Sequence, residues 1–81
     1  MDYLQKLIQL RKSKKMSQSD LAEVLGTTYQ QIYKYEKGVQ EIPVRRLIQI
    51  SKLYNVSIDW ILGISNKMEV SDPVIQTDTS E

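Results

Sequence analysis

The 81-residue chain predicts an all-α fold, a compact five-helix domain over residues 1–64 followed by a flexible acidic tail over 65–81. Three observations carry this. Apolar residues recur at three- and four-residue steps, the spacing of one helix face. The apolar runs are punctuated by residues suited to start and stop helices: Ser17, Thr28, Pro43 and Ser57 before them, Gly26, Gly38, Asn55 and Gly63 after them. From Ser65 the helical period disappears into a mixture of Ser, Thr, Asp and one Pro with scattered Val and Ile.

Taken in order, Tyr3–Lys14 presents Leu4, Leu7, Ile8 and Leu10 on one face, with Tyr3 beside them. Asp2 suits the exposed N–H groups at its start, and Lys12, Lys14 and Lys15 suit its carbonyl end. Ser17 caps a second helix from Gln18 to Leu25, with Asp20 standing where a capping box wants Glu or Gln. Leu21, Ala22 and Leu25 form its buried face, with Met16 packed just ahead of the cap. Thr28 and Gln31 have capping-box spacing and open a third helix that stops at Gly38. Its apolar positions are only Ile32 and Tyr35. Tyr29, Gln30, Tyr33, Lys34 and Lys37 occupy the other face, so this helix is held on one side and offers the other. Val39–Ile42 is a short linker. Pro43 fits the first turn of a fourth helix with Leu47, Ile50, Ser51 and Tyr54 inward and Ile48 and Leu53 widening that stripe. Ser57 caps a short fifth helix to Leu62, with Ile58, Ile61 and Leu62 inward.

Composition narrows the function classes. The chain has no Cys and no His, which removes thiolate metal sites, disulfides, and the commonest general base and metal ligand. There is no glycine-rich phosphate loop and no cluster of inward carboxylates, so an enzyme is not expected; neither is a metal or cofactor. Gln5, Lys6 and Gln9 break the N-terminal apolar residues, and no run approaches a membrane span. A cytoplasmic protein follows as the default. The net charge of +1 hides an asymmetry: residues 1–64 carry ten Lys and Arg against six acids, and residues 65–81 one Lys against four. A basic body suits a polyanion, although a solvated surface can look the same.

Two short helices joined at Gly26, the second with a polar and aromatic free face, make a helix-turn-helix shape. An ordered set of residues sharpens it: Leu10-Arg11, Ser17-Gln18, Leu21-Ala22, Leu25-Gly26, Ile32, Tyr35-Glu36, Gly38, Pro43, Leu47, Ile50, Asn55-Val56-Ser57 and Trp60-Ile61-Leu62-Gly63. With these the chain, from about Tyr3 to Ile64, resembles the lambda-repressor-like, or Xre-type, helix-turn-helix transcriptional regulators. The resemblance implies a prokaryotic or phage-encoded DNA-binding domain, a regulator and most simply a repressor, whose third helix enters the major groove of double-stranded DNA. It also implies that Gln18 holds a phosphate and braces the start of the third helix, with Gln30 as the expected brace partner, and that Arg11 and Glu36 tie helix 1 to helix 3.

The residue chemistry is compatible. Gln30 and Lys34 are four apart and share a face, flanked by Tyr29 and Tyr33. Gln can pair with adenine through two hydrogen bonds, and Lys can donate to guanine O6 and N7. A Tyr ring can lie on a thymine methyl or reach a phosphate, or it can be half-buried against neighbouring helices. The expected DNA-facing set is Gln18, Thr28, Tyr29, Gln30, Tyr33, Lys34 and Lys37. Arg45 and Arg46 are rim candidates for phosphate, with plain solvation as the other reading. The linker after Gly38, Val39-Gln40-Glu41-Ile42, lacks basic residues that relatives often carry there.

A small monomer contacts few base pairs, so a homodimer on a near-palindromic operator is expected. Ile58, Trp60, Ile61 and Ile64 could supply its face, or Trp60 could be core. A competing reading is an antitoxin-like module whose tail, through Val74-Ile75 and its acids, covers a protein partner.

Overall fold

The computed structural model describes residues 2–68, and within them the regular structure is helical. The order is α1 (Tyr3–Ser13), α2 (Gln18–Leu25), α3 (Tyr29–Lys37), α4 (Val44–Tyr54) and α5 (Ile58–Ile61). The expectations for tail residues 69–81, including a partner segment at Val74-Ile75, lie outside the described residues.

Helix boundaries follow local chemistry. Asp2 Oδ1 accepts from the Gln5 N–H at 2.9 Å. Ser17 and Asp20 close a full capping box, with Asp20 N–H on Ser17 Oγ at 3.0 Å and Ser17 N–H on Asp20 Oδ2 at 2.9 Å. At α3 only half of the expected box forms. Thr28 Oγ1 accepts from the Gln31 N–H at 3.1 Å, but the Gln31 side chain does not return to Thr28, and its Nε2 is buried without a partner among the described residues. Pro43 stands at the N-cap of α4, one residue ahead of its first helical residue. At the other ends, Gly26 and Gly38 take left-handed dihedrals, φ 75° and 74°. Asn55 does the same at φ 57°, the conformation Asn tolerates better than most residues.

α3 packs on α2 and α1, α4 on α2, and α5 on α1 and α4. Among the described residues Ile32 and Ile61 are the most deeply enclosed large side chains, in one core with Leu7, Leu10, Leu21, Leu25, Leu47 and Ile50. Several expectations need correction. Leu62 is exposed rather than inward, because α5 ends at Ile61 and Leu62 already belongs to the cap. Ile48 and Leu53 are also exposed, since the buried stripe of α4 is only as wide as Leu47, Ile50 and Tyr54. Conversely, Ile42, placed in the linker, is buried, and so is the loop residue Val56, which helical spacing does not assign to the core. Ser51 Oγ donates to the Val56 carbonyl at 2.6 Å, which draws that loop onto α4. Residues 65–68, the start of the expected tail, fold back on α5: Ser57 N–H donates to the Met68 carbonyl at 2.8 Å and Ser57 Oγ to the Lys67 carbonyl at 2.9 Å.

Candidate nucleic-acid interface

α3 carries the candidate site because its two faces differ in kind. Ile32 and Tyr35 are buried at 1% and 5% exposure and fix the helix to the core. Tyr29, Gln30, Tyr33, Lys34 and Lys37 are all exposed. Tyr29 and Tyr33 keep 48% and 44% of their surface, so neither is packed away between helices. Lys37 Nζ lies 5.8 Å from the Tyr33 ring centroid, a cation–π distance that aligns two members of this face. Thr28, at the N-cap, is exposed beside them.

The angle of α3 is set by a three-residue network. Arg11 Nε donates to Glu36 Oε2 at 2.7 Å and Nη2 to Glu36 Oε1 at 3.1 Å, a bidentate pair. Its remaining arm, Nη1, donates to the Met16 carbonyl at 2.8 Å. The two side chains are only 10% and 11% exposed. Gln18 Nε2 completes the group by donating to Glu36 Oε1 at 2.9 Å. The expected brace between Gln18 and Gln30 is therefore replaced by one between Gln18 and Glu36. Gln30 sits on the exposed side of α3, whereas Glu36 faces α1 and the start of α2. One carboxylate thus gathers α1, α2 and α3.

Burial pushes the Tyr54 phenol above its ordinary pKa, an effect offset by Arg11 and reinforced by Glu36. The hydroxyl has no hydrogen-bond partner among the described residues. Arg46 is half-buried. Its Nη1 donates to the Leu25 carbonyl at 2.7 Å and to Gln49 Oε1 at 2.8 Å, and so ties the end of α2 to α4. Arg45 is exposed. Among the described residues there is no cluster of acidic side chains that could hold a metal ion, and no helix long and apolar enough to cross a membrane.

The same five helices match a known family model. The model, described as Helix-turn-helix, covers residues 7–61. The chain belongs to the lambda-repressor-like helix-turn-helix family. It is 38% identical over 64 residues to the uncharacterized HTH-type transcriptional regulator YobD of Bacillus subtilis, covering 79% of this chain and 57% of that protein. It is 43% identical over 70 residues to RP497 of Rickettsia prowazekii, covering 86% and 54%. With y4wC of Sinorhizobium fredii it shares 48% over 52 residues, 64% of this chain and 36% of that one. The chain thus spans about half the length of these relatives, or less. No solved structure matches it.

In this helix-turn-helix domain α2 and α3 are the paired elements, with Gly26 at the turn between them. Sequence reasoning missed two positions beside it. In the sequence Lys12 is only a helix-end cation, yet it lines an open cleft between α1 and α3 together with Gln18, Tyr33 and Lys37. Its place is visible in the sequence only once α1 and α3 are known to cross at Arg11 and Glu36, because Lys12 adjoins Arg11. The second is Gln31, whose buried amide gave no signal beyond the capping pattern.

Proposed function

We propose that the chain is a sequence-specific double-stranded DNA-binding regulator, a cytoplasmic repressor that works as a homodimer on a near-palindromic operator with α3 in the major groove. One observation carries this reading: five adjoining polar and aromatic side chains are exposed on α3 while its opposite face and its tilt are fixed by the core and by Arg11, Glu36 and Gln18. A reading element must be rigid before it meets DNA, since ordering it on binding would subtract from affinity. The major groove, about 12 Å wide, accepts one helix. Tyr29, Gln30 and Lys34 are the base readers in this proposal. Thr28 and Tyr33 flank them, and Lys37 and Arg45 meet phosphates. The kinship with proteins named transcriptional regulators supports the same assignment.

For the dimer, Ile61 is withdrawn from the expected face because it is wholly enclosed. Ile64 at 73% exposure and Leu62 at 42% remain available next to half-buried Ile58 and Trp60. Selection of bound sites from a random duplex pool tests the proposal. The expected outcome is an inverted repeat with half-sites about one helical turn apart, and lowered transcript yield when that repeat overlaps a promoter. A selected pool with no common sequence would refute it; a single unrepeated half-site would remove the dimer.

A further inference from the structure

The cations of residues 2–64 divide into those with an internal task and those without. Arg11 is held by Glu36 and Met16, and Arg46 by Leu25 and Gln49. Lys6 Nζ donates to the Trp60 carbonyl at 2.7 Å and lies over the Trp60 ring. Of the others, Lys12 and Lys37 line the same solvent-open cleft between α1 and α3, where the only internal contact of the Lys37 ammonium among the described residues is the neighbouring Tyr33 ring. Arg11 and Glu36 lie in that cleft as a bonded pair, so its interior is close to neutral. Its exposed cations are Lys12 on one helix and Lys37 on the other. Neither has an ion-pair partner among the described residues.

A second observation points the same way. The first turn of α2 would be the obvious phosphate cradle, but it carries its own acid. Asp20 occupies the Ser17 N–H, and Ser17 occupies that of Asp20. The Gln18 side-chain amide is turned to Glu36. The carboxylate lowers the positive potential at that helix end, while the Gln18 and Ser19 N–H groups keep no partner among the described residues, so cations in the cleft would supplement that end rather than replace it. Val39-Gln40-Glu41-Ile42 adds no cation beyond α3.

We infer that Lys12 is a phosphate-gripping residue that acts with Lys37 across the α1–α3 cleft, so that one DNA strand runs its backbone along α1 as well as beside α3. This rests on the proposed DNA-binding function and adds to it the path of a strand. A flexible ammonium at each lip of a cleft with a near-neutral interior suits a backbone phosphate, which needs charge more than fixed geometry.

The test compares the full chain with Lys12→Ala, Lys12→Arg and, as a control, Lys52→Ala on α4, which is exposed and outside the cleft. Fluorescence anisotropy on the selected duplex and on a scrambled one is followed from 50 to 200 mM salt, with thermal unfolding to verify each fold. Lys12→Ala is expected to weaken both duplexes by the same factor and to reduce the slope of log K against log salt by about one. Lys12→Arg should retain the slope, and Lys52→Ala should leave it unchanged. An unchanged slope in folded Lys12→Ala, or an equal loss in Lys52→Ala, overturns the grip while leaving DNA binding intact. Failure of the wild-type chain to bind either duplex would overturn both it and the reading beneath it.

Discussion

Replacing Glu36 by Ala should be among the most damaging single changes in this chain, and the reason is the partner left behind. Arg11 would lose both of its bonds to the carboxylate and keep only the Met16 carbonyl. Its guanidinium sits at about one-tenth exposure, too enclosed for water to replace what is lost. Stranding a buried charge costs roughly 3–5 kcal/mol. The retained Met16 bond argues for the lower end, about 3 kcal/mol. A domain of this length has a total stability on the order of 4–12 kcal/mol, so the loss is a large part of it. At about 4–8 °C per kcal/mol the midpoint should fall by at least about 12 °C. Thermal and urea unfolding followed by circular dichroism measure this directly. The double variant Arg11→Met/Glu36→Leu removes both charges and should recover to within about 1–2 kcal/mol of wild type. The reasoning fails if Glu36→Ala costs less than about 1 kcal/mol, or if the double variant is as unstable as the single one.

Other expectations follow from single positions. Lys34→Ala should reduce discrimination between the selected site and one-base variants by about 1–3 kcal/mol, whereas Lys37→Ala should weaken all duplexes alike; binding titrations on matched and mismatched duplexes separate the two. Tyr54→Phe removes a buried hydroxyl with no partner among the described residues, so stability at neutral pH should be unchanged or up to about 1 kcal/mol higher. Because burial raises the Tyr54 pKa above 10.0, the unfolded phenol ionises first. Wild-type stability should therefore fall as pH rises past 10.0, and the Phe variant should lack that part of the loss in alkaline unfolding curves. Gly38→Ala should destabilise more than Gly26→Ala. Both need a left-handed backbone at a cost of about 1–2 kcal/mol, but a new Cβ at Gly38 would stand 3.2 Å from Leu4 Cδ1 while Gly26 faces open space. Equal midpoints for the two variants would contradict this.

Most of the fold was legible because this chain writes its helix ends locally. Ser17, Gly26, Thr28, Gly38, Asn55 and Ser57 each do their work through backbone groups within a few residues, and such short-range chemistry can be read without tertiary knowledge. Helical spacing likewise located Leu21, Ala22, Leu25, Ile32 and Tyr35. Periodicity fails where burial is decided from outside the helix. Ile42 and Val56 enter the core from loops that have no period, and Ile48 and Leu53 stay exposed because no element among the described residues covers that flank of α4. Long polar side chains were the least legible. Gln18 reaches Glu36 and not Gln30, and Arg46 reaches back to the Leu25 carbonyl. Such choices depend on where neighbouring helices end, which spacing along the chain does not encode.

Ser57 has a consequence for anyone cutting or extending this chain. Its hydroxyl accepts from the Trp60 N–H at 3.0 Å and donates to the Lys67 carbonyl, while its own N–H meets Met68. The four-residue α5 and the segment after it are therefore closed by one residue, like a buckle. A truncation at Ile64 would open that buckle and leave the Ser57 N–H to water, at the end of the helix that buries Ile61. A protease or a cloning boundary placed after Met68 would keep it shut, and a label attached there would leave from beside Lys6 and Trp60 rather than from the exposed face of α3.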